Sequence, residues 1–377
     1  MPSPTGQDHL VWLIAAALGA LTLATGLLSP GAAADVLDRT SPVLVFLVAI
    51  TVLAELADRA GVFDVAAHRA AKLARGRTLR LFGLLVLLAT ATTVLLSLDT
   101  TAVLVTPVVI AVAQQLELDP LPFAMTAVWL ANTASLLLPV SNLTNLLAQG
   151  RLDLSTTQYA GQLLLPAVAA VGITVVLLLL LHRRTLTGRY ATPVPTPTDD
   201  PVLLVGTAGA ALLLVPLLLS GLEVAVAASA CATVAVALTL WRKRSALTMS
   251  LVPWRLVLLV IGLFLVVDAA GPHGVDDLLR HGVGSNLTTA STAAAGANAI
   301  NNLPAYLALE RVVPHDRLLS VLLGVNLGPL VTPWASLATL LWAERCRARG
   351  LRIGWWRYAL QGLVLVALLL PATTALL

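Results

Sequence analysis

The sequence predicts an all-α polytopic membrane protein with two inverted repeats, each containing scaffold spans, a re-entrant hairpin and a discontinuous transmembrane helix. Three observations support this fold class: continuous apolar runs, an uneven distribution of basic residues, and an internal repeat. Of the 377 residues, 58% are hydrophobic and only 11% are charged. Because about a quarter of the residues of a soluble domain are charged, this composition excludes one.

The apolar runs are long enough to cross a bilayer as helices. A helix needs about 20 apolar residues to span a hydrocarbon core of roughly 30 Å. The runs are continuous rather than alternating, which favours helices over a closed barrel. Two of them, 122–149 and 317–342, are interrupted by proline and polar residues near their middles. These two segments therefore predict broken helices.

The distribution of basic residues predicts the orientation of the chain. Lys and Arg accumulate in cytoplasmic loops of membrane proteins. We place the N-terminus in the cytoplasm, with one hairpin (81–115) entering from the cytoplasm and another (287–312) entering from outside. Then 18 of the 23 basic residues are cytoplasmic, and the others are Arg39, Arg151, Arg280, Arg311 and Arg317. We expect a multi-pass protein of the bacterial plasma (inner) membrane.

An internal repeat supports the division into two halves. Residues 132–147 align without gaps with residues 326–341, so that Asn132 matches Asn326 and Pro139 matches Pro333. Such repeats in membrane proteins mark inverted halves with a site at their interface. We therefore predict a first repeat (1–182, with hairpin 81–115 and broken helix 122–149), a cytoplasmic linker (183–201), a connecting span (202–220), and a second repeat (221–377, with hairpin 287–312 and broken helix 317–342).

The broken helices and the polar hairpin tips predict a binding site. Broken backbone inside a bilayer is tolerated only where it is buried in protein or lines a wet cavity, and half-helix ends attract small polar solutes and ions. Polar residues that merely join helices are a poorer explanation for seven such residues in the stretch 131–147. The candidate substrate-binding residues are Asn132, Thr133, Ser135, Ser141, Asn142, Asn145, Asn301, Asn302, Asn326, Thr332 and Ser336.

Asp99 is the candidate proton-coupling residue. It lies at the tip of the first hairpin beside Ser97 and Thr100, and its counterparts in the second hairpin are the neutral Asn301 and Asn302. Charged groups deep in a membrane are costly and mark ion or proton pathways. We hypothesise that protonation of Asp99 couples proton entry to solute release.

Other chemistries find little support in the sequence. The six histidines lie in loops or at span ends without metal-ligand spacing, so we predict no metal site and no cofactor. No H-E-x-x-H, G-x-S-G or D-D-x-x-D pattern occurs, which argues against an enzyme. The two cysteines, Cys231 and Cys346, lie in a predicted scaffold span and a loop. We expect membrane lipid and no nucleic acid among the partners.

Four stretches resemble the arsenite permease (arsenical pump membrane protein) family of the ion transporter superfamily. They are LDTTAVLVTPVVIA (98–111), ANTASLLLPVSNLTN (131–145), NAINNLPA (298–305) and NLGPLVTPWASLATLLW (326–342). The resemblance implies export of arsenite or antimonite in exchange for protons by alternating access. In some members it also implies assistance by a soluble arsenical pump ATPase.

The sequence departs from that family at one motif and leaves alternatives open. Leu98 stands where many relatives have Asn before the hairpin Asp, and the chain is shorter than typical members. A sodium/proton antiporter or another small-anion transporter of the same superfamily is the alternative. Dicarboxylate carriers of the superfamily have Ser-Asn-Thr motifs at both hairpin tips, and this chain lacks them.

Overall fold

The fold consists of helices joined by short loops. The computed structural model describes residues 8–191, 200–271 and 275–377, so that residues 192–199 of the predicted linker lie outside the described residues. Eight helices in the described part are long and apolar enough to cross a membrane: Thr40–Arg59, Thr78–Leu95, Leu98–Gln115, Thr156–His182, Pro201–Leu219, Val224–Arg242, Met249–Ala270 and Trp355–Thr374. The predicted all-α polytopic membrane fold is confirmed.

The first half of the chain contains two interrupted helical segments. A π-helical turn over Thr101–Val105 joins two helices of the hairpin, and a gap of nine residues follows Thr133. The helices are α1 (Asp8–Ala24), α2 (Pro30–Arg59), α3 (Val62–Leu73), α4 (Thr78–Leu95), α5 (Leu98–Thr100), α6 (Thr106–Gln115), α7 (Leu121–Thr133), α8 (Leu143–Leu152) and α9 (Thr156–His182).

The second half repeats this order after one additional helix, α10 (Pro201–Leu219). A hairpin is again followed by an interrupted helix and a long terminal helix. The helices are α11 (Val224–Arg242), α12 (Trp254–Ala270), α13 (Val275–Arg280), α14 (Asn286–Ile300), α15 (Asn302–Leu309), α16 (Leu318–Leu327), α17 (Leu337–Ala348) and α18 (Trp355–Thr374).

The packing of the two halves is reciprocal. Helix α1 packs on α12, and α11, which holds the corresponding place in the second half, packs on α2. The second part of each interrupted helix also reaches the other half: α8 packs on α16, and α17 packs on α7. A hydrogen bond from Trp342 Nε1 to the Ala124 carbonyl (2.8 Å) joins α17 to α7. The boundaries of the repeats stay a prediction.

Prolines lie within both interruptions. Between α7 and α8, Leu138 is extended (φ −122°, ψ 149°) and Pro139 begins a short 3₁₀ turn. Pro329 and Pro333 lie between α16 and α17. Proline lacks the N–H that a helix interior needs and restricts the residue before it to extended conformations. Pro329 lies two residues after the end of α16, whereas α7 already ends at Thr133, before Pro139. The prolines therefore prevent the helix from continuing through either interruption.

Two glycines allow α1 and α12 to approach closely. A Cβ atom on Gly19 would lie 3.0 Å from the Cα of Gly262, and one on Gly262 would overlap the carbonyl oxygen of Ala15. Small residues at such crossings let helix backbones pack closely in a membrane. The contact depends on Gly262 having no side chain.

We expect Gly262→Ala to lower the thermal stability of the purified protein, because the new methyl group forces α1 away from α12. Overpacking of this kind costs about 1–3 kcal/mol. Gly172→Ala is the matched control, since a Cβ atom there meets no atom within 4 Å. Thermal melting of the two variants in detergent, monitored by fluorescence-detection size-exclusion chromatography, gives their melting temperatures. Equal melting temperatures for the two variants would contradict the role of this contact.

Candidate functional site

A central cavity of about 420 Å³ lies between the scaffold helices and the polar segments. Helices α2 and α12 form one side with apolar residues such as Phe46, Ile50 and Leu263. Both hairpin tips and both helix breaks form the other side. The polar side chains that line the central cavity are Thr51, Glu55, Ser97, Asp99, Thr100, Asn142, Asn301, Asn302 and Ser336, and Trp334 also lines it.

The first hairpin tip is a polar turn that presents Asp99. Ser97 caps the helix that follows, because its Oγ accepts a hydrogen bond from the Thr100 backbone N–H (3.1 Å). Thr93 and Thr101 join their hydroxyl groups across the hairpin at 2.8 Å. The Oδ1 atom of Asp99 is buried and has no hydrogen-bond partner among the described residues. The tip therefore offers a carboxylate oxygen to a proton or a bound solute.

The second hairpin tip is held by Asn301 in a strained conformation. Its φ of 92° and ψ of 152° lie in a region that residues other than glycine rarely adopt, at a cost of roughly 1–3 kcal/mol. Asn301 Nδ2 donates to the Trp334 carbonyl (2.9 Å), and the Asn302 N–H donates to the Ala335 carbonyl (2.8 Å). These bonds fasten the tip to the break between α16 and α17.

The second parts of both interrupted helices begin at the cavity. Asn142 is the N-cap of α8 and Ser336 is the N-cap of α17, and both have extended backbones. Asn142 Oδ1 accepts from the Thr144 N–H (3.3 Å), whereas Ser336 makes no side-chain cap bond. Each helix N-terminus carries a partial positive charge and unpaired N–H groups. The cavity is therefore suited to hydroxyl groups and oxyanions.

The cavity contains no cationic side chain or thiol among the described residues that line it. Its two carboxylates differ in their surroundings. Glu55 Oε1 accepts from Arg59 Nη2 at 3.0 Å, and Arg59 also donates to the Ala246 carbonyl at 2.6 Å. Asp99 has no ion pair in the described part of the chain. Asp99 is thus the carboxylate whose charge has no fixed counterion.

A buried network centred on Asn326 joins the two halves. Asn326 Oδ1 accepts from Asn142 Nδ2 (2.8 Å) and from Thr144 Oγ1 (2.8 Å). Asn326 Nδ2 donates to Asn145 Oδ1 at 2.6 Å. Asn145 also donates to the carbonyl of Leu138 (3.0 Å) inside the break. The network holds the N-cap of α8, and with it the cavity wall, against α16.

The corresponding positions of the other half lack such a network. In the alignment of the repeats, Asn132 corresponds to Asn326, Ser336 to Asn142 and Thr339 to Asn145. Asn132 Nδ2 donates to the Val128 carbonyl of its own helix (3.0 Å). The Asn132 Oδ1 and Ser336 Oγ atoms are buried without a hydrogen-bond partner among the described residues. The two halves therefore share a pattern of residues but differ in how their polar groups are satisfied.

The residues predicted from the sequence separate into two groups. Those that line the cavity are Asp99, Asn142, Asn301, Asn302 and Ser336. The others lie behind it and support the breaks: Ser141 Oγ donates to the Val94 carbonyl, and Thr332 Oγ1 to the Asn298 carbonyl (both 2.9 Å). The cavity lining does not include Asn132, Thr133, Ser135, Ser141, Asn145, Asn326 or Thr332.

Sequence reasoning missed several residues of this region. Glu55 lines the cavity from α2, and Trp334 lines it from the second break. Thr144 belongs to the Asn326 network. Glu55 could have been found because it is an acidic residue inside an apolar run. Thr144 could have been found because it is one more polar residue in the first broken segment. Trp334 carried no signal, because an indole in a membrane segment is ordinary.

No group of three or more His, Cys, Asp or Glu side chains that could hold a metal ion occurs in the described part of the chain. Both cysteines are buried as free thiols, Cys231 in α11 and Cys346 in α17. Neither lines the cavity. The chemistry of the site is therefore that of amides, hydroxyls, backbone N–H groups and carboxylates.

Comparison with known families identifies the class of the protein. A family model described as "Citrate transporter" matches residues 9–339. The chain belongs to the citrate transporter family. It is a multi-pass membrane transporter.

Curated relatives match nearly the whole chain. The chain is 29% identical over 392 residues to the arsenical pump membrane protein of Escherichia coli K12, covering 96% of this chain and 91% of that protein. It is 29% identical over 388 residues to the arsenical pump membrane protein of Yersinia enterocolitica, covering 94% and 90%. This similarity confirms the resemblance predicted from the four sequence motifs.

The fold is also that of a solved transporter. The crystal structure of the Alcanivorax borkumensis YdaH transporter, described as having an unusual topology, matches with a TM-score of 0.56 at 15% identity. The match covers 100% of this chain and 97% of that one. At this identity the likeness concerns the fold alone.

Proposed function

We propose that this chain exports arsenite or antimonite in exchange for protons, by alternating access of the central cavity. The observation that carries the proposal is the lining of the cavity. Amide, hydroxyl and backbone N–H groups surround it. Among the described residues, no cationic side chain lines it and Asp99 forms no ion pair. The names of the curated relatives point to the same class of solute.

The solute must suit a site without fixed positive charge. Arsenite near neutral pH is a small neutral trihydroxide that both donates and accepts hydrogen bonds. The amides of Asn142, Asn301 and Asn302 and the helix N-termini at α8 and α17 supply matching groups. Arg and Lys bind carboxylates strongly, and the described lining offers neither them nor Ser-Asn-Thr motifs at both hairpin tips to a multiply charged carboxylate such as citrate. The lining therefore favours the neutral hydroxide over citrate.

The position of the cavity supports alternating access. Its apolar wall on α2 and α12 belongs to one set of helices, and its polar wall belongs to the hairpins and breaks. Movement of the polar segments along the apolar wall carries the solute across the membrane without exposing broken backbone to lipid. We place the protein in the bacterial plasma membrane with a cytoplasmic N-terminus, as the distribution of basic residues predicts.

The alternative function is a sodium/proton antiporter or a transporter of another small anion. The observation that favours the antiporter is the group of oxygens around Asp99. Ser97 and Thr100 lie beside it, with their hydroxyl oxygens 2.9 Å apart. Carboxylate and hydroxyl oxygens are ligands for hard cations. The transported species must therefore be measured directly.

Arsenite uptake into everted membrane vesicles tests the proposal. We expect vesicles containing the protein to accumulate arsenite several-fold above empty vesicles when acidified inside, and a protonophore to abolish the difference. Transport without ATP would show that the chain does not require a soluble ATPase. Accumulation equal to that of empty vesicles would contradict the proposal, and sodium movement under the same gradient would favour the antiporter.

A further inference from the structure

A second site lies at one end of the helices, away from the central cavity. The arginine pocket is formed by Arg75, Gly76, Arg77, Arg80, Arg189, Tyr190 and Ala191, and its volume is about 650 Å³. We propose that the arginine pocket binds the phosphate head group of an anionic membrane lipid. This inference does not depend on the transported solute.

Two segments distant in sequence build the pocket. The loop between α3 and α4 pairs with the segment after α9 through an antiparallel bridge between Arg77 and Arg189. The Tyr190 N–H donates to the Gly76 carbonyl (3.0 Å), and the Thr78 N–H donates to the Gly188 carbonyl (3.2 Å). The pairing brings arginines from both segments around one opening.

The loop is folded tightly to make this pairing. Arg75 has a φ of 51° and Gly76 a φ of 72°, so that two successive residues adopt left-handed conformations. A Cβ atom on Gly76 would lie 2.7 Å from the Tyr190 carbonyl oxygen. Only glycine fits this close approach, so the geometry of the pocket depends on residue 76. The phenol of Tyr190 donates to the Ala71 carbonyl at 2.7 Å and fastens the second segment to α3.

Four arginines give the pocket a high positive charge. None of Arg75, Arg77, Arg80 and Arg189 forms an ion pair in the described part of the chain. Burial raises the pKa of Tyr190 above its usual value, so this phenol adds no negative charge. Like charges held close together repel one another, and guanidinium groups bind phosphate oxygens in bidentate pairs. A phosphate group is the ligand that this set of donors suits best.

The position of the pocket favours a lipid phosphate over a soluble one. Arg77 directly precedes α4, the span Thr78–Leu95, and the pairing segment follows the span that ends at His182. Leu73 and Leu79 flank the arginines with 67% and 54% of their surfaces exposed. Apolar side chains exposed at the end of a span suit acyl chains, and basic pockets at this level bind anionic head groups. The exposed leucines and the neighbouring arginines together suit a lipid that has acyl chains and an anionic head group.

Native mass spectrometry of the full-length protein with phosphatidylglycerol measures the binding. We expect the Arg77→Ala/Arg189→Ala variant to retain phosphatidylglycerol about tenfold less than the wild type, since each basic residue near the surface contributes substantially to such binding. Arg347→Ala/Arg352→Ala is the matched control. It removes the same charge from two exposed arginines outside the pocket and should retain the lipid.

A variant that keeps every charge tests whether lipid binding depends on the shape of the pocket or only on its positive charge. Gly76→Ala should also lose phosphatidylglycerol, because the methyl group displaces Tyr190 from the bridge, while thermal melting reports whether the protein is folded. If Gly76→Ala fails to fold, the proposal is tested by comparing the Arg77→Ala/Arg189→Ala variant with the Arg347→Ala/Arg352→Ala control. An equal loss of phosphatidylglycerol from both double-arginine variants would overturn the proposal. Displacement of the lipid by millimolar inorganic phosphate would overturn the choice of a lipid ligand.

Discussion

Replacing Asn326 by alanine is expected to destabilise the protein by about 2–3 kcal/mol and to abolish transport. The substitution leaves Asn142 Nδ2, Thr144 Oγ1 and Asn145 Oδ1 without their partner on α16. All three residues are buried, so bulk solvent does not readily replace the lost bonds. Because Asn142 lines the cavity, its displacement also changes the solute site. Thermal melting and vesicle transport measure the two effects separately.

Asn132→Ala is the matched control for this variant. Asn132 holds the corresponding place in the first half, yet within the described part of the chain its amide bonds only to the Val128 carbonyl of its own helix. Its Oδ1 atom already has no partner among the described residues. We therefore expect a smaller loss of stability than for Asn326→Ala. Equal shifts in melting temperature would mean that the Asn326 network contributes little beyond a local helix bond.

Replacing Asp99 by asparagine is expected to abolish transport driven by a pH gradient while leaving the protein folded. The amide keeps the shape of the side chain but cannot exchange a proton. Asp99 Oδ1 has no hydrogen-bond partner among the described residues, so the substitution breaks no bond there. Melting temperature should consequently stay close to that of the wild type. Arsenite uptake at several pH values, with and without a gradient, measures the effect.

Variants of two other carboxylates, Asp277 and Glu55, serve as controls for the Asp99→Asn experiment. Asp277→Asn changes an exposed carboxylate outside the cavity and should transport normally. Glu55→Gln changes the second carboxylate of the cavity, which is paired with Arg59 at 3.0 Å. Loss of pH dependence in Glu55→Gln but not in Asp99→Asn would assign the proton to Glu55 and contradict our hypothesis for Asp99.

Much of the fold was predictable because the lipid environment restricts the choices. Long apolar runs in a bilayer must become helices, since their backbone groups have no other partners. Proline positions predicted where the helices break, and Pro139 and Pro333 lie between the paired helical parts. Helix α2 was harder to delimit, because it extends from Pro30 and contains Asp35 and Asp38 before its apolar part. Hydropathy alone cannot detect such an extension.

The candidate site was predictable in its segments but not in its individual contacts. The sequence indicated that the hairpin tips and breaks carry the polar groups, and five of the predicted residues line the cavity. It did not separate these from the residues behind the cavity, since both sets are Asn, Ser and Thr in the same stretches. Which face of a broken helix points inward depends on the direction in which the chain leaves each proline.

By itself, the sequence determined that this protein is a helical membrane protein with two similar halves, polar hairpin tips and broken helices. Hydropathy and proline are local properties, so one chain suffices to reveal them. Only the tertiary structure decided that Asn326 bonds to Asn142, Thr144 and Asn145 while Asn132 bonds within its own helix. Two asparagines with the same place in a repeat differ because Asn326 meets hydrogen-bonding side chains from the opposite half, whereas Asn132 Oδ1 meets none among the described residues.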